Sequence, residues 1–281
     1  MRYLLFLITI VRIQTAAKMP VNHRFLKHNF DNGFATHNAI LDTTPYEPEV
    51  LFVGTYNPTT NAVNSADFFY GRKSSWFWPT MKNLFVHGNV VQFNRRQLVQ
   101  MGPPPVLINP LLHEVFDLCI DTRMVFADLM KKTFHNRSPD YQLRKNVATY
   151  QNVAYNLVDD NALANLDALG QVEWSTEDII SYLRRTPSIY CVRLTRQPTG
   201  VWQQHWNGIV NANYGREINF GTIHTPAGMG LGEGGVRRAT ALARRWLLHS
   251  IAHKRLCDQW IQDHQINAQS FNYPNPTLPL F

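Results

Sequence analysis

Residues 50 to 81 read VLFVGTYNPTTNAVNSADFFYGRKSSWFWPTM. The opening VLFV is a continuous apolar run, as expected of a strand buried on both faces. It breaks at Gly54, and Asn57-Pro58 follows, with Pro58 stiffening the backbone behind the asparagine. Six rings then come close together: Phe68, Phe69, Tyr70, Trp76, Phe77 and Trp78. A neutral amide just past a strand end cannot act as a general base. It can accept and donate hydrogen bonds, and so can orient a water molecule. Phe77 and Trp78 open a helix and read as core. Phe69 and Tyr70 stand in a loop with Gly71, Arg72 and Lys73, where basic groups interleave with rings as they do in nucleic-acid sites.

Working outward, EPEVLFV (47–53) enters as a strand after the TTPYEP turn. Helices are expected over 76–86 and 94–100, separated by the turn at His87-Gly88-Asn89. MGPPPVLINP (101–110) reads as a rigid connection within one domain, because consecutive prolines fix the backbone. TRMVFADLMKK (122–132) reads as helical or strand-to-helix, and 141–169 as helical. In STEDIISYLRR (175–185), Ser175 with Glu177 and Asp178 is placed to cap and charge a helix N-terminus. SIYCVRLT (188–195) and INFGTIH (218–224) read as strands. VRRATALARRWLLHSIAHKRL (236–256) reads as an amphipathic helix. Strands alternating with helices predict an α/β fold with a central, mostly parallel sheet flanked by helices. Ligands then belong at the carboxyl ends of the strands. That rule selects two loops, 54–75 and HTPAGMGLGEGGVRR (224–238). The glycines of the second let backbone amides approach phosphate at a helix N-terminus, and they serve equally as a flexible helix entry.

Bulk composition agrees with a globular chain: of 281 residues, 44% are hydrophobic and 17% charged. Lysine and arginine outnumber aspartate and glutamate by 27 to 20, a net +7 that favours polyanionic partners. Three separated cysteines, Cys119, Cys191 and Cys257, form no CxxC. They are expected to be reduced thiols in a cytoplasmic protein, holding neither metal nor cluster. The N-terminal MRYLLFLITIVRIQTAAKMP is similar to a short signal peptide or a mitochondrial presequence, and Met19 is an alternative start. Its apolar run is too short to span a bilayer. The division expected is an N-terminal leader or extension over 1–28 and a single α/β domain over 29–281.

VLFVGTYNP followed by SADFFYGRKSSWFWPTM resembles the first motif region of the uracil-DNA glycosylase superfamily, in its mismatch-specific, thymine and hypoxanthine branches. HTPAGMG (224–230) resembles the second motif, a loop that enters the minor groove, and LCIDTRMVFADLM loosely resembles the segment between. The likeness runs in order through 48–250, specific at the first motif and loose elsewhere. It implies a three-layer sandwich of that family's type and a monofunctional DNA glycosylase without cofactor or metal. Such an enzyme flips a base from DNA and hydrolyses its N-glycosidic bond, here uracil, hypoxanthine, mismatched thymine or a hypermodified base, the last in a defence role against phage. Asn57 matches the residue that positions the water, and His224 would stabilise the leaving base. Gly54, Thr55 and Tyr56 match the base pocket, with Phe69 or Tyr70 stacking on the base. Pro226, Ala227 and Gly228 match the second loop, and Arg72, Lys73, Arg237 and Arg238 are the phosphate contacts.

The chain departs from the family pattern in four places. Gly54-Thr55-Tyr56-Asn57-Pro58 carries one residue more than Gly-x-Asn-Pro. Ser75-Trp76 replaces the usual asparagine before Phe-Trp. Ala227 stands where serine is common, and His224 lies one residue farther from proline. These leave the identity of the base open. DNA is the expected partner, with no membrane and a monomeric state. The alternatives are a non-catalytic nucleic-acid-binding relative and a nucleotide-binding transferase built on GMGLGEGG.

Overall fold

A computed structural model describes residues 20–59, 66–72, 74–87, 110–134, 146–231, 238–248 and 252–271. The strands are β1 (Val21–Asn22), β2 (Lys27–Asn29), β3 (Ala35–His37), β4 (Ile40–Thr43), β5 (Val50–Gly54), β6 (Met124–Asp128), β7 (Met130–Thr133), β8 (Val147–Tyr150), β9 (Val153–Asn156), β10 (Val172–Trp174), β11 (Cys191–Leu194) and β12 (Asn219–Thr222). The helices are α1 (Phe77–Lys82), which continues as a π turn over Asn83–His87, α2 (Leu112–Thr122), α3 (Asp160–Ala168), α4 (Thr176–Arg185), α5 (Val201–Val210), α6 (Arg238–Leu247) and α7 (Asp258–Asp263).

Seven strands form one sheet in the order β12-β11-β5-β6-β4-β3-β2. β12, β11, β5 and β6 run parallel, whereas β4 and β3 join antiparallel beyond β6. The sheet is therefore mixed, and the expectation of a mostly parallel one is corrected. The antiparallel half comes from residues 27–43, whose three- and four-residue strands are too short to carry a periodic signal. β5 lies at the centre of the parallel block with every residue buried, as its unbroken apolar run requires. The chain moves from β5 to β6 on one side and returns to β11 on the other. The carboxyl ends of β5 and β11 thus flank a topological switch point.

Other expectations are also revised. The division at residue 28 cuts through packed chain: β1 pairs with β7, and Phe25 is buried. TRMVFADLMKK forms β6 and β7 and not a helix; only Arg123 separates β6 from the end of α2, and that continuity masks the strand. The 141–169 stretch contains the β8–β9 hairpin before α3. Helix α4 forms as expected, but Ser175 Oγ is buried without a hydrogen-bond partner and does not cap it. Cys191 and Cys257 are joined as a disulfide, so the expectation of three free thiols is revised to one, the buried Cys119. The expected helix at 94–100 lies outside the described residues.

The aromatic run after Asn57 mostly builds the core. Phe68, Phe69, Phe77 and Trp78 all pack around Phe126 of β6, with ring centroids 5.5–5.7 Å away. Trp78 Nε1 also donates to the Phe69 carbonyl at 2.7 Å, pinning the loop to α1. No helix among the described residues is long and apolar enough to cross a membrane.

Candidate functional site

A cleft of about 520 Å³ opens at the carboxyl ends of β5, β6, β11 and β12. Gly54, Thr55, Tyr56 and Asn57 line it from the first loop, together with Tyr70 and Arg72. His224, Pro226 and Ala227 line it from the second loop. The two loops are tied directly, since the Trp76 amide donates to the Pro226 carbonyl at 2.8 Å. Trp246 Nε1 of α6 donates to the His224 carbonyl at 2.8 Å and holds the second loop from behind.

Asn57 is fixed at both backbone and side chain. Its carbonyl accepts the Arg24 amide at 2.6 Å, while the Thr59 amide donates to the Asn22 carbonyl at 2.8 Å. The N-terminal strand segment thereby clamps the Asn57-Pro58 turn. Asn57 Nδ2 donates to Asp128 Oδ2 at 2.7 Å. A carboxylate only accepts, so this contact assigns the carboxamide: nitrogen toward Asp128, oxygen directed away. The same Asp128 oxygen accepts His23 Nε2 at 2.6 Å. His23 Nδ1 in turn accepts the Phe25 amide at 3.0 Å, which places the imidazole proton on Nε2. Asp128 and His23 are both buried.

Tyr70 has a left-handed backbone (φ 57°), uncommon outside glycine, and stacks on Phe77 at 4.4 Å with its hydroxyl at the cleft floor. Burial, then the Asp128 charge, push its phenol well above the ordinary range. Arg72 donates to the Tyr56 carbonyl at 3.4 Å. Burial draws its pKa down, opposed by the Asp128 charge. His224 Nε2 donates to the Met229 carbonyl at 2.7 Å. Burial lowers the His224 pKa, and the positive charge of Arg245 adds to the shift while the Met229 hydrogen bond opposes it. His224 thus lines the cleft with one ring nitrogen already engaged on Met229.

The remaining expected residues divide. Phe69 is 0% exposed beneath His23, Phe25 and Phe126, and cannot stack on a ligand in the cleft; that expectation is corrected. Its core position follows from the backbone turn at 68–71, which turns Tyr70 and not Phe69 toward the cavity. Gly228 lies behind the lining, beside Arg238 at the start of α6. Lys73 and Arg237 lie outside the described residues. The sequence reading missed Asp128, His23, Thr195, Arg196 and His253. An acidic residue closing the apolar run MVFAD is a usable signal for Asp128, one that reading the stretch as helical or strand-to-helix leaves unused. His23 fell within the segment set aside as an extension.

Among the described residues no group of three or more His, Cys, Asp or Glu side chains is disposed to hold a metal ion. Comparison with protein-family models, curated proteins and solved structures finds no match for this chain.

Proposed function

We propose that the chain is a monofunctional DNA glycosylase of the uracil-DNA glycosylase superfamily type. In this reading a flipped nucleotide enters the cleft and its base reaches Tyr70 at the floor. As the N-glycosidic bond breaks with oxocarbenium character, Asn57 presents a water to the anomeric carbon. The observation that carries the reading is the assigned orientation of Asn57. With Nδ2 held by Asp128, Oδ1 is the acceptor available to a water at the mouth of a strand-end cleft. Asn57 places the nucleophile, and the reaction's own developing positive charge activates it.

Further features support the reading. The parallel block, with β6 on one side of β5 and β11 and β12 on the other, suits the three-layer architecture that the sequence resemblance implies. Met229 is 74% exposed at the tip of the second loop, where an apolar side chain could fill the gap left by an extruded base. Arg72 at the cleft wall and Arg196 at its rim are cations near the path of a phosphodiester backbone.

The test is direct. Duplexes carrying uracil, hypoxanthine, mismatched thymine or bulky modified bases are incubated with the protein and then treated with alkali. Strand scission at the altered position is expected for at least one base. Binding without scission across the panel would favour the non-catalytic relative. Tight binding of a free nucleotide, with none of DNA, would favour a transferase.

A further inference from the structure

The floor of the cleft has an unusual polarity. Both side-chain hydrogen bonds that Asp128 makes among the described residues fall on Oδ2, from His23 and Asn57. Oδ1 lies over Gly54: a Cβ added to that glycine would sit 2.0 Å from Asp128 Oδ1 and 2.9 Å from the Tyr70 hydroxyl oxygen. The two oxygens thus converge on one spot above a bare α-carbon. The direction of the neighbouring hydrogen bonds can be followed outward. Thr195 Oγ1 donates its one proton to the Val53 carbonyl at 3.2 Å. Its 3.0 Å contact with Tyr70 must then be donated by the tyrosine. The Tyr70 proton is engaged there, which leaves the phenolic oxygen an acceptor beside the carboxylate.

Resting on the reading of this cleft as a nucleobase pocket, we propose that Asp128 and Tyr70 select a base whose inner edge bears an exocyclic amino group. Keto bases such as uracil, thymine and hypoxanthine are disfavoured. An amino group offers hydrogens to Asp128 Oδ1 and the Tyr70 oxygen. A keto oxygen in the same place would face a carboxylate with no proton between them. Among the bases the sequence resemblance allows, this leaves a modified base that retains its amine.

Asp128→Asn gives a signed test. His23 Nε2 and Asn57 Nδ2 both donate toward the Oδ2 position, so the amide oxygen of the variant belongs there. Its NH2 group then takes the Oδ1 position and faces the floor as a donor. Calorimetric titration with free cytosine against uracil, and adenine against hypoxanthine, compares ligands differing at that edge by amino for keto. In the native protein the amino member of each pair is expected to bind about tenfold tighter, the scale of one well-made base-edge contact. In Asp128→Asn the order is expected to reverse. Tyr70→Phe keeps the ring on Phe77 and should weaken the amino members alone; it decides the matter if Asp128→Asn does not fold. Equal or keto-preferring binding in the native protein overturns the inference, as does an unchanged order in a folded variant. Scission of oligonucleotides is scored separately. Amino preference with no scission of any duplex defeats the glycosylase reading and leaves the pocket assignment standing. Scission with keto preference does the opposite.

Discussion

A carboxamide at a strand end is useful only when its oxygen and nitrogen are told apart, and at Asn57 the neighbour that does so is Asp128. Asn57→Ala removes the oriented acceptor without touching the core, since the side chain is only half-buried. Folding should be preserved while excision falls roughly 10²–10⁴-fold, the usual scale for losing a positioned proton-transfer or water-orienting group. Single-turnover scission beside a thermal melt checks both halves, and a variant cleaving at the parental rate removes Asn57 from the chemistry. Gly54 is the complementary case. Its α-carbon is bare because the Asp128 carboxylate occupies the space a side chain would need, with a would-be Cβ only 2.0 Å from Oδ1. Asp128 cannot retreat, because His23 and Asn57 hold its other oxygen. Gly54→Ala should therefore cost about 1–3 kcal/mol from overpacking in the central strand, read as a lower urea midpoint.

The loops are held by elements rather than by their own sequences, and that decides what could be read in advance. VLFVG was legible as a strand because four consecutive apolar residues before a glycine have few other uses. The two cleft loops were legible because strands must be left at their carboxyl ends. β6 is as fully buried as β5, but only Arg123 separates it from the Leu112–Thr122 helix, and that continuity hid the strand and with it Asp128. Strands β1 and β4 owe their form to pairing with the distant β7 and β6, which local pattern does not encode. The rings of the first loop were only half understood: most of them seat the loop on β6, and Tyr70 alone turns into the cleft. One consequence at this scale concerns pH. The His224 and His253 rings stand 5.4 Å apart where the second loop meets the chain after α6. Burial lowers both pKa values; the charge of Arg245 adds to the shift at each, and the His224 ring adds to that at His253. The unfolded chain then binds more protons than the folded one once pH drops below the ordinary histidine value near 6.5. The stabilisation is complete above about that pH and is lost as acid reaches the lower folded values. The melting temperature should fall between neutral pH and pH ~5, less so in His253→Gln, where the repelling pair is removed. A variant with the parental pH slope would assign the acid sensitivity elsewhere.

Taken whole, the molecule combines an excess of cations with a cleft at the strand ends, and its behaviour toward polyanions follows from both. If the +7 charge serves DNA, neutralising about four phosphates would cost on the order of 10²-fold in duplex affinity between about 50 and 200 mM salt. A flat response would leave the charge without that purpose. The disulfide poses a separate question at the same scale, because it joins two elements far apart in the chain. Cys191 begins β11, whose carboxyl end frames the cleft, and Cys257 immediately precedes α7; they are separated by 66 residues. Arg193 lies against this junction, donating to the Arg255 carbonyl at 2.8 Å and approaching Cys257 Sγ at 3.6 Å, with its pKa drawn down to about 10 by burial. The bridge thus reinforces a seam that polar contacts already close, and its main effect should lie in the unfolded chain. Loop-closure entropy for that separation gives up to about 4 kcal/mol. Reduction is expected to lower the urea midpoint by a corresponding amount, and Cys191→Ser to reproduce the shift without reductant. Cys119, buried with its thiol pushed up by desolvation, should not contribute, so Cys119→Ser is expected to leave the reductant response intact. If native protein and Cys191→Ser unfold together under oxidising conditions, the seam is held by Arg193 and its carbonyl partners and not by the bridge.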